Sequence, residues 1–152
     1  MKKKTKTSDD SIKKQFVGFS LDNEIYGLDI MMAESIERVS NITRVPKTQD
    51  YVLGVTNIRG DIVPIINLRL RLGMEDVEYD EDTRIIILRF ENYRIGMIVD
   101  RVNDVFSVSD ANIQIGKDIF KDRRNELIAE VIKLQETYIL VLDLMKVLDL
   151  TE

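Results

Sequence analysis

Residues 52–67 read VLGVTNIRGDIVPIIN, in which two apolar runs flank the polar triplet Arg59-Gly60-Asp61. Each run is rich in β-branched residues, and a short polar segment between two such runs predicts a β-hairpin. Gly60 can supply the positive φ that a tight hairpin turn requires. This hairpin is the first indication that the chain adopts an all-β fold.

The same pattern, two β-branched runs around a polar turn, occurs three more times. Predicted hairpins join residues 16–21 to 25–30, residues 85–90 to 94–99, and residues 128–134 to 138–143. Helical spacing of apolar residues is confined to residues 31–35, 68–72 and 144–148. The sequence therefore predicts β-strands with a few short connecting helices.

The four hairpins also indicate an internal duplication. The first hairpin aligns with the third, which places Gly27 on Gly96, and the second aligns with the fourth, which places Asn67 on Asp143. We call this superposition the repeat alignment. The second pair is further apart in the sequence than the first, so the extra residues must be inserted within residues 107–125. Each repeat offers about five short strands, which can remove exposed sheet edges by closing into a small barrel.

We therefore predict two five-stranded barrels that pack on each other, because a unit of ~70 residues has a marginal core on its own. The first barrel is expected in residues 15–80 and the second in residues 81–152, with end strands able to cross between them. Residues 1–14, which carry lysines at positions 2, 3, 4 and 6, are expected to form a disordered basic tail.

Composition argues against several classes of function. The 152 residues include no Cys and no His, which removes thiolate metal sites and the commonest general base. We expect neither a cofactor nor enzymatic activity. The net charge of −5 is opposite in sign to that of most nucleic-acid-binding proteins, and no apolar stretch approaches the ~20 residues of a membrane span. The expected partners are proteins, without nucleic acid or direct membrane insertion.

Acidic residues leave two functional alternatives open. Residues 76–82 could form a calcium loop, although the ligand spacing and the glycine of such loops are missing, or they could form a solvated linker between the units. Asp29 and Asp100 could act as the two carboxylates of a hydrolase. That second function would require a concave cleft with the two groups at catalytic separation.

Apolar side chains near predicted loops also allow two interpretations. Met31 and Met32 could fill the core, since methionine packs adaptably, or one of them could face a partner groove. Phe120 lies within the basic stretch 117–124. This stretch could be a mobile loop, or Phe120 could be an exposed anchor for a protein partner.

Three motifs resemble those of the CheW family. They are residues 51–68, which include Gly54, Asn57, Arg59, Gly60 and Pro64, residues 24–30 (EIYGLDI), and residues 96–102 (GMIVDRV). The resemblance extends over residues 16–148 and implies two five-stranded SH3-like barrels, in agreement with the duplication. It also implies a non-catalytic adaptor that couples the regulatory domain of the histidine kinase CheA to the cytoplasmic tips of chemoreceptors. Such an adaptor is expected in the cytoplasm, associated with membrane receptor arrays through protein contacts.

The resemblance implies three groups of site residues. They are a receptor side with Gly54, Asn57 and Arg59, a kinase side with Met32, Ala33, Ser35 and Ile36, and a loop aromatic between neighbouring rings, Phe120. The chain departs from the family pattern at one position. Family members often carry a glutamate directly before the residue matching Ile36, where this chain has Ser35, with Glu34 and Glu37 on either side.

Overall fold

The computed structural model describes residues 13–46, 49–114 and 122–149. The strands are β1 (Lys14–Leu21), β2 (Glu24–Asp29), β3 (Ala33–Arg38), β4 (Val52–Ile58), β5 (Asp61–Asn67), β6 (Arg84–Phe90), β7 (Tyr93–Val99), β8 (Arg101–Val108), β9 (Ile113–Gln114), β10 (Ile128–Leu134) and β11 (Thr137–Leu142). The α-helices are α1 (Leu68–Arg71) and α2 (Leu144–Val147), and 3-10 turns span Ile30–Met32, Asp110–Asn112 and Arg123–Leu127. Strands dominate because the apolar runs are short and β-branched.

The strands form two sheets with equivalent internal order. The six-stranded sheet has the order β8-β1-β2-β11-β10-β9, and the five-stranded sheet has the order β3-β6-β7-β5-β4. Read from one edge to the other, β8 corresponds to β3, and the hairpin β1–β2 corresponds to the hairpin β6–β7. Next in order, β11 corresponds to β5 and β10 corresponds to β4. Strand β9 lies in the segment where the sequence predicts the insertion, and its counterpart beside β4 is a single antiparallel bridge between Thr43 and Val55.

One parallel pairing joins two hairpins in each sheet, and it does so at equivalent residues. Gly27 of β2 pairs with Val141 of β11, and Gly96 of β7 pairs with Ile65 of β5. The repeat alignment converts one pair into the other. A Cβ atom on Gly96 would lie 2.4 Å from Cδ1 of Ile65, so this close packing favours glycine. The duplication is therefore present in the register of the sheets.

Most central strands are buried on both faces, which explains their continuous apolar sequences. On β6, Ile85 and Ile87 belong to a cluster inside the five-stranded sheet, whereas Ile86 and Leu88 belong to the large cluster shared by the two sheets. A third cluster, which includes Phe16, lies inside the six-stranded sheet. Each unit thus has its own small interior, and the two units bury their largest apolar surface against each other.

The predicted all-β fold of two packed units with short helices is confirmed, as are the helices that begin at Leu68 and Leu144. One unit has the two-residue β9 as a sixth strand. The helix predicted at residues 31–35 is wrong. Asp29 caps a single 3-10 turn by accepting a hydrogen bond of 2.9 Å from the Met31 N–H, and the chain then continues as β3. Pairing with β6 favours the extended conformation there over the local helical preference.

The two sheets do not divide the chain at residues 80 and 81. The hairpin β1–β2 lies in the sheet of the second half, and the hairpin β6–β7 lies in the sheet of the first half. Whole hairpins, rather than single end strands, are exchanged. The reason is the parallel pairing of β2 with β11 and of β7 with β5, which connects residues far apart in the sequence.

Candidate functional site: the five-stranded sheet edge and an apolar groove

The turn between β4 and β5 presents Arg59 to solvent. Arg59 and Gly60 have φ values of 53° and 95°, as in the tight turns whose twist matches that of a hairpin. Asn57 stabilises the turn because its side-chain oxygen accepts a hydrogen bond of 2.9 Å from the Gly60 N–H. A residue other than glycine is uncommon at positive φ, so turn geometry does not account for arginine at position 59.

Glu37 holds the exposed guanidinium of Arg59. Nη2 of Arg59 lies 3.1 Å from Oε2 of Glu37, and 76% of the Arg59 side chain is exposed. The contact is an ion pair without hydrogen-bond geometry, since the buried Oε2 of Glu37 has no hydrogen-bond partner among the described residues. Glu37 lies on β3, one edge strand, and Arg59 directly follows β4, the other, so the ion pair links both edges of the sheet.

Glu37 also offers an explanation for the absence of a glutamate at position 35. Ser35 and Glu37 are both half-buried, whereas Ile36 and Arg38 are exposed, as expected for a strand whose successive side chains alternate between faces. A carboxylate at position 37 therefore lies on the same face of β3 as one at position 35. The pairing with Arg59 shows that position 37 brings the carboxylate within reach of the turn.

The predicted kinase-side residues lie on the 3-10 turn and on β3. Met32 and Ala33 are half-buried and pack against the shared core, and Ile36 is 45% exposed. Because β3 is an edge strand, one of its sides carries no neighbouring strand. An exposed apolar side chain on such a strand suits contact with another protein.

Gly54, in contrast, is buried. It has a φ of 145° at an irregularity in β4, and a Cβ atom there would lie 2.0 Å from the carbonyl oxygen of Thr43. Thr43 and Val55 exchange backbone hydrogen bonds of 2.8 and 2.9 Å beside it. Gly54 allows this close approach of two backbones and so shapes β4. Its part in partner binding stays a prediction.

An open groove of about 760 Å³ lies where the 3-10 turn after β2 meets α2. Its apolar lining includes Phe16, Met31, Met32, Phe90, Leu144 and Met145. Met31 is 84% exposed, whereas Met32 is half-buried against the core. Both methionines line the groove, and Met32 also packs against the core. Contact of either methionine with a partner stays a prediction.

A charged cluster fixes the opposite junction between the units. Arg69 on α1 is almost fully buried and donates to both carboxylate oxygens of Asp100, at 2.8 and 2.6 Å. It also donates to the carboxylate of Asp22 and, at 2.9 Å, to the carbonyl oxygen of Glu75. Since Asp22 lies in the turn of β1–β2 and Asp100 follows β7, one side chain ties the two sheets together.

The electrostatics of Asp100 argue against the hydrolase alternative. Burial raises the pKa of Asp100, but hydrogen bonds from Arg69 and from the Asp22 N–H, with nearby positive charge, outweigh burial and leave the pKa below its usual value. A carboxyl group that acts as a general acid would need a pKa above its usual value. Asp29 caps the 3-10 turn and lines the groove, whereas Asp100 lines a different cavity, so the two carboxylates do not share a cleft.

The remaining sequence alternatives concern the acidic segment, membrane insertion and Phe120. Within the part of the chain that the structure describes, no group of three or more acidic side chains is placed to hold a metal ion. Residues 76–82 connect α1 to β6, and Asp80 caps its own turn by accepting a hydrogen bond of 2.8 Å from the Asp82 N–H.

No helix among the described residues is long and apolar enough to cross a membrane. Phe120 lies outside the described residues.

Comparison with known proteins identifies the family. A family model described as a CheW-like domain matches residues 15–152, which include both sheets, the Arg59 turn and the groove. The chain belongs to this family. The CheW family resemblance of the three sequence motifs is thereby confirmed.

Full-length relatives and a solved structure support the family membership. The chain is 34% identical to the chemotaxis protein CheW of Klebsiella aerogenes over 148 residues, covering 97% of this chain and 89% of that protein. It is 31% identical to the chemotaxis protein CheW of Bacillus subtilis over 135 residues, covering 89% and 86%. The crystal structure of the scaffolding protein TtCheW from Thermoanaerobacter tengcongensis superposes with a TM-score of 0.78 at 30% identity, covering 86% of this chain and 88% of that one.

The sequence does not predict a site role for Glu37, Arg69 or Met145. A helix predicted at residues 31–35 conceals the alternation of β3, which places Glu37 on the same face as Ser35. Arg69 and Met145 occupy equivalent positions in the repeat alignment, on α1 and α2. Comparing the side chains at duplicated positions would have shown that one is charged and the other apolar. That difference distinguishes the junction held by the Arg69 cluster from the open groove.

Proposed function

We propose that this CheW-like domain is a chemotaxis adaptor that binds the regulatory domain of a CheA histidine kinase and the cytoplasmic tip of a chemoreceptor at the same time. The observation that carries the proposal is the ion pair between Arg59 and Glu37. It links the turn assigned to the receptor with the strand that carries Ile36, assigned to the kinase. The relatives named as chemotaxis and scaffolding proteins support the same role.

The receptor side would act through the guanidinium of Arg59. An arginine has five N–H donors in a fixed fork, and a single ion pair to Glu37 leaves several of them for a partner. Because Glu37 restrains the side chain, less conformational entropy is lost when the guanidinium binds carboxylate or carbonyl oxygens of a receptor tip. Asn57 and Gly54 would contribute by fixing the turn and the strand that carry Arg59.

The kinase side would act through apolar contact at β3. Ile36 projects from the edge strand, while Met32, Ala33 and Ser35 set the position of the strand on the core. An interface of moderate area would be enough, because repetition within an array raises the overall strength of binding. Phe120 would serve as the aromatic anchor between neighbouring rings.

In this proposal the chain carries out no catalysis and needs no cofactor. A change in receptor conformation reaches the kinase through the geometry of the bound surfaces. The protein acts in the cytoplasm beneath a membrane receptor array, to which it is held by protein contacts alone. Adaptors of this kind also serve arrays that control other forms of motility or development, and such an array is the alternative setting for the same mechanism.

Calorimetry tests the kinase half of the proposal. Titration of the protein with the isolated regulatory domain of CheA from the same organism should give saturable one-to-one binding. Ile36→Ser should weaken this binding at least about tenfold, which corresponds to ~1.4 kcal/mol. Tyr138→Ser, a change of an exposed side chain on the other sheet, is the matched control and should have no effect. Absence of binding at high micromolar concentration would contradict the kinase assignment.

Arg59 variants test the receptor half separately. Arg59→Asn removes the guanidinium and keeps the turn, because asparagine tolerates positive φ better than most residues. Loss of a charge-assisted hydrogen bond of ~1.5 kcal/mol should weaken binding of a receptor fragment about tenfold. Arg59→Glu should weaken it further because it adds a second negative charge beside Glu37. Unchanged receptor binding in both variants would rule out the role assigned to Arg59.

A further inference from the structure

Charged side chains form a bridge across the five-stranded sheet. Arg94 lies on the central strand β7, between Glu34 near the start of β3 and Asp61 at the start of β5. Its Nε donates to Glu34 at 3.2 Å, its Nη2 lies 2.9 Å from the second oxygen of Glu34, and its Nη1 donates to the carboxylate of Asp61. Arg89, on the neighbouring strand β6, also donates to Glu34 at 3.2 Å. Arg94 therefore links one edge strand to the hairpin that contains the other.

The alternation of side chains along the strands brings these groups to one end of the sheet. Arg94 precedes Gly96 by two residues and Asp61 precedes Val63 by two, so both side chains lie on the face that forms the interior of the sheet. Apolar side chains fill that interior. The charged side chains therefore meet at its open end, where water reaches them in part.

The two carboxylates of the bridge belong to the two surfaces assigned to partners. Asp61 pairs with Ile58 and so closes the turn between β4 and β5. Glu34 lies between Ala33 and Ser35 of the kinase side, at an irregularity in the pairing of β3 with β6. Because a residue at such an irregularity is left out of the ladder of hydrogen bonds, the position of Glu34 depends more on its side-chain contacts.

The other sheet shows that the fold itself does not require this bridge. The equivalent positions carry uncharged side chains, namely Ile25 for Arg94, Thr137 for Asp61 and, from the pairing of β8 with β1, Asn103 for Glu34. There the Ser20 hydroxyl donates to the Asn103 side chain at 2.8 Å. The charged bridge is thus confined to the sheet that carries both assigned surfaces, which favours a role in binding over a role in folding.

We propose that Arg94 is a positioning residue for both partners, because it holds the β4–β5 turn in place for the receptor and the start of β3 in place for the kinase. The inference rests on the proposed function and adds a residue that lies in neither assigned surface. Arginine suits this role because its N–H donors form a rigid fork that can satisfy two carboxylates in fixed directions. The side chains of Arg94 and Glu34 are 32% and 28% exposed and that of Asp61 is 61% exposed, so solvent weakens the contacts and their loss should change binding a few fold.

Amide order parameters from NMR relaxation test the positioning without a partner. Arg94→Met keeps the alkyl part of the side chain and removes the guanidinium. It should lower the order parameters by about 0.1 in residues 33–35 and in residues 59–61, from the value of ~0.85 that is typical of rigid backbone. Values in β10 and β11, in the other sheet, should not change. Arg101→Met, at an exposed position of β8, is the matched control and should leave all these values unchanged.

Two further variants separate the halves of the bridge. Asp61→Asn should lower the order parameters of the turn alone, and Glu34→Gln should lower those of β3 alone. In calorimetry, Arg94→Met should weaken binding of both the receptor fragment and the regulatory domain of CheA about threefold. Asp61→Asn should weaken only receptor binding, and Glu34→Gln should weaken only kinase binding.

Unchanged order parameters in Arg94→Met would overturn the proposal, whatever the partners do. A decrease in only one of the two segments, or weaker binding of only one partner, would overturn the bridge between the surfaces. A decrease throughout both sheets would show that Arg94 merely stabilises the fold, which also overturns the proposal. Absence of binding of both partners to the wild-type protein would contradict the adaptor function, whereas the order parameters would still decide whether Arg94 positions both segments.

Discussion

Replacing Arg69 by methionine should destabilise the protein more than any surface change. Methionine keeps most of the volume of the side chain and is the residue at the equivalent position, 145. The change removes two hydrogen bonds to Asp100, one to Asp22 and one to the Glu75 carbonyl. It also leaves two carboxylates without their cation at the junction of the sheets.

The magnitude follows from the exposure of those carboxylates. Removing one partner of a fully buried ion pair costs about 3–5 kcal/mol. The side chains of Asp100 and Asp22 are 26% and 60% exposed, so water can rehydrate them in part, and the lower end of the range applies. We expect the free energy of unfolding to fall by about 3 kcal/mol and the Tm by roughly 6–12 °C for a chain of this size.

Urea unfolding monitored by circular dichroism provides the measurement, and a double-mutant cycle isolates the pair. Asp100→Asn combined with Arg69→Met should cost less than the sum of the single changes, because neither charge is then left unpaired. Arg38→Met, at an exposed position of β3, is the matched control and should change stability by less than about 0.5 kcal/mol. A loss below about 1 kcal/mol in Arg69→Met, or additivity in the cycle, would refute the assignment of Arg69 as the tie between the sheets.

Three further predictions concern pH, Gly54 and Glu37. Because the pKa of Asp100 is lowered in the folded state, this carboxylate contributes to stability above the usual Asp pKa of ~3.9. The contribution is lost as the pH falls through the lowered value. The stability difference between wild type and Asp100→Asn should therefore shrink when unfolding is followed from pH 7 to about pH 3. Gly54→Ala forces a Cβ against the Thr43 carbonyl and should lower the free energy of unfolding in urea by about 4 kcal/mol. Gly60→Ala should lower it by only about 1 kcal/mol, because a Cβ there meets nothing within 4 Å. Equal losses would contradict the close approach at Gly54. Glu37→Gln should change stability by less than about 1 kcal/mol, because its partner Arg59 is exposed. The same variant should weaken receptor binding a few fold. Unchanged receptor binding would count against restraint of Arg59 by Glu37.

The local elements could be predicted because each is determined by neighbouring residues. The turn at Gly60 requires positive φ, and the polar pairs between β-branched runs fix where the hairpins bend. The helices after Asn67 and Asp143 begin where a side chain can cap the first turn, and the structure shows both caps. Strand β3 was not predicted, because its polar sequence becomes a strand only when β6 pairs with it.

The candidate site could be predicted only in part, because its contacts join distant segments. Asn57 and Arg59 were identified from a continuous motif that forms a local turn. The partner of Arg59 is Glu37, which lies on another strand and reaches the turn only when the sheet brings its two edges together. The groove likewise combines residues from both ends of the chain, such as Phe16 and Met145, which no local pattern connects.

The exchange of hairpins between the sheets links the fold to the proposed role. Because β1–β2 completes one sheet and β6–β7 the other, neither unit can close its sheet without a strand pair from the other half of the chain. The parallel pairings of Gly27 with Val141 and of Gly96 with Ile65 connect distant residues, so folding of the two units should be cooperative. An adaptor that acts through geometry needs surfaces held at fixed positions relative to each other. The shared core and the Arg69 cluster meet that need, because they restrain the sheet edge that carries Arg59 relative to the groove that carries Met31.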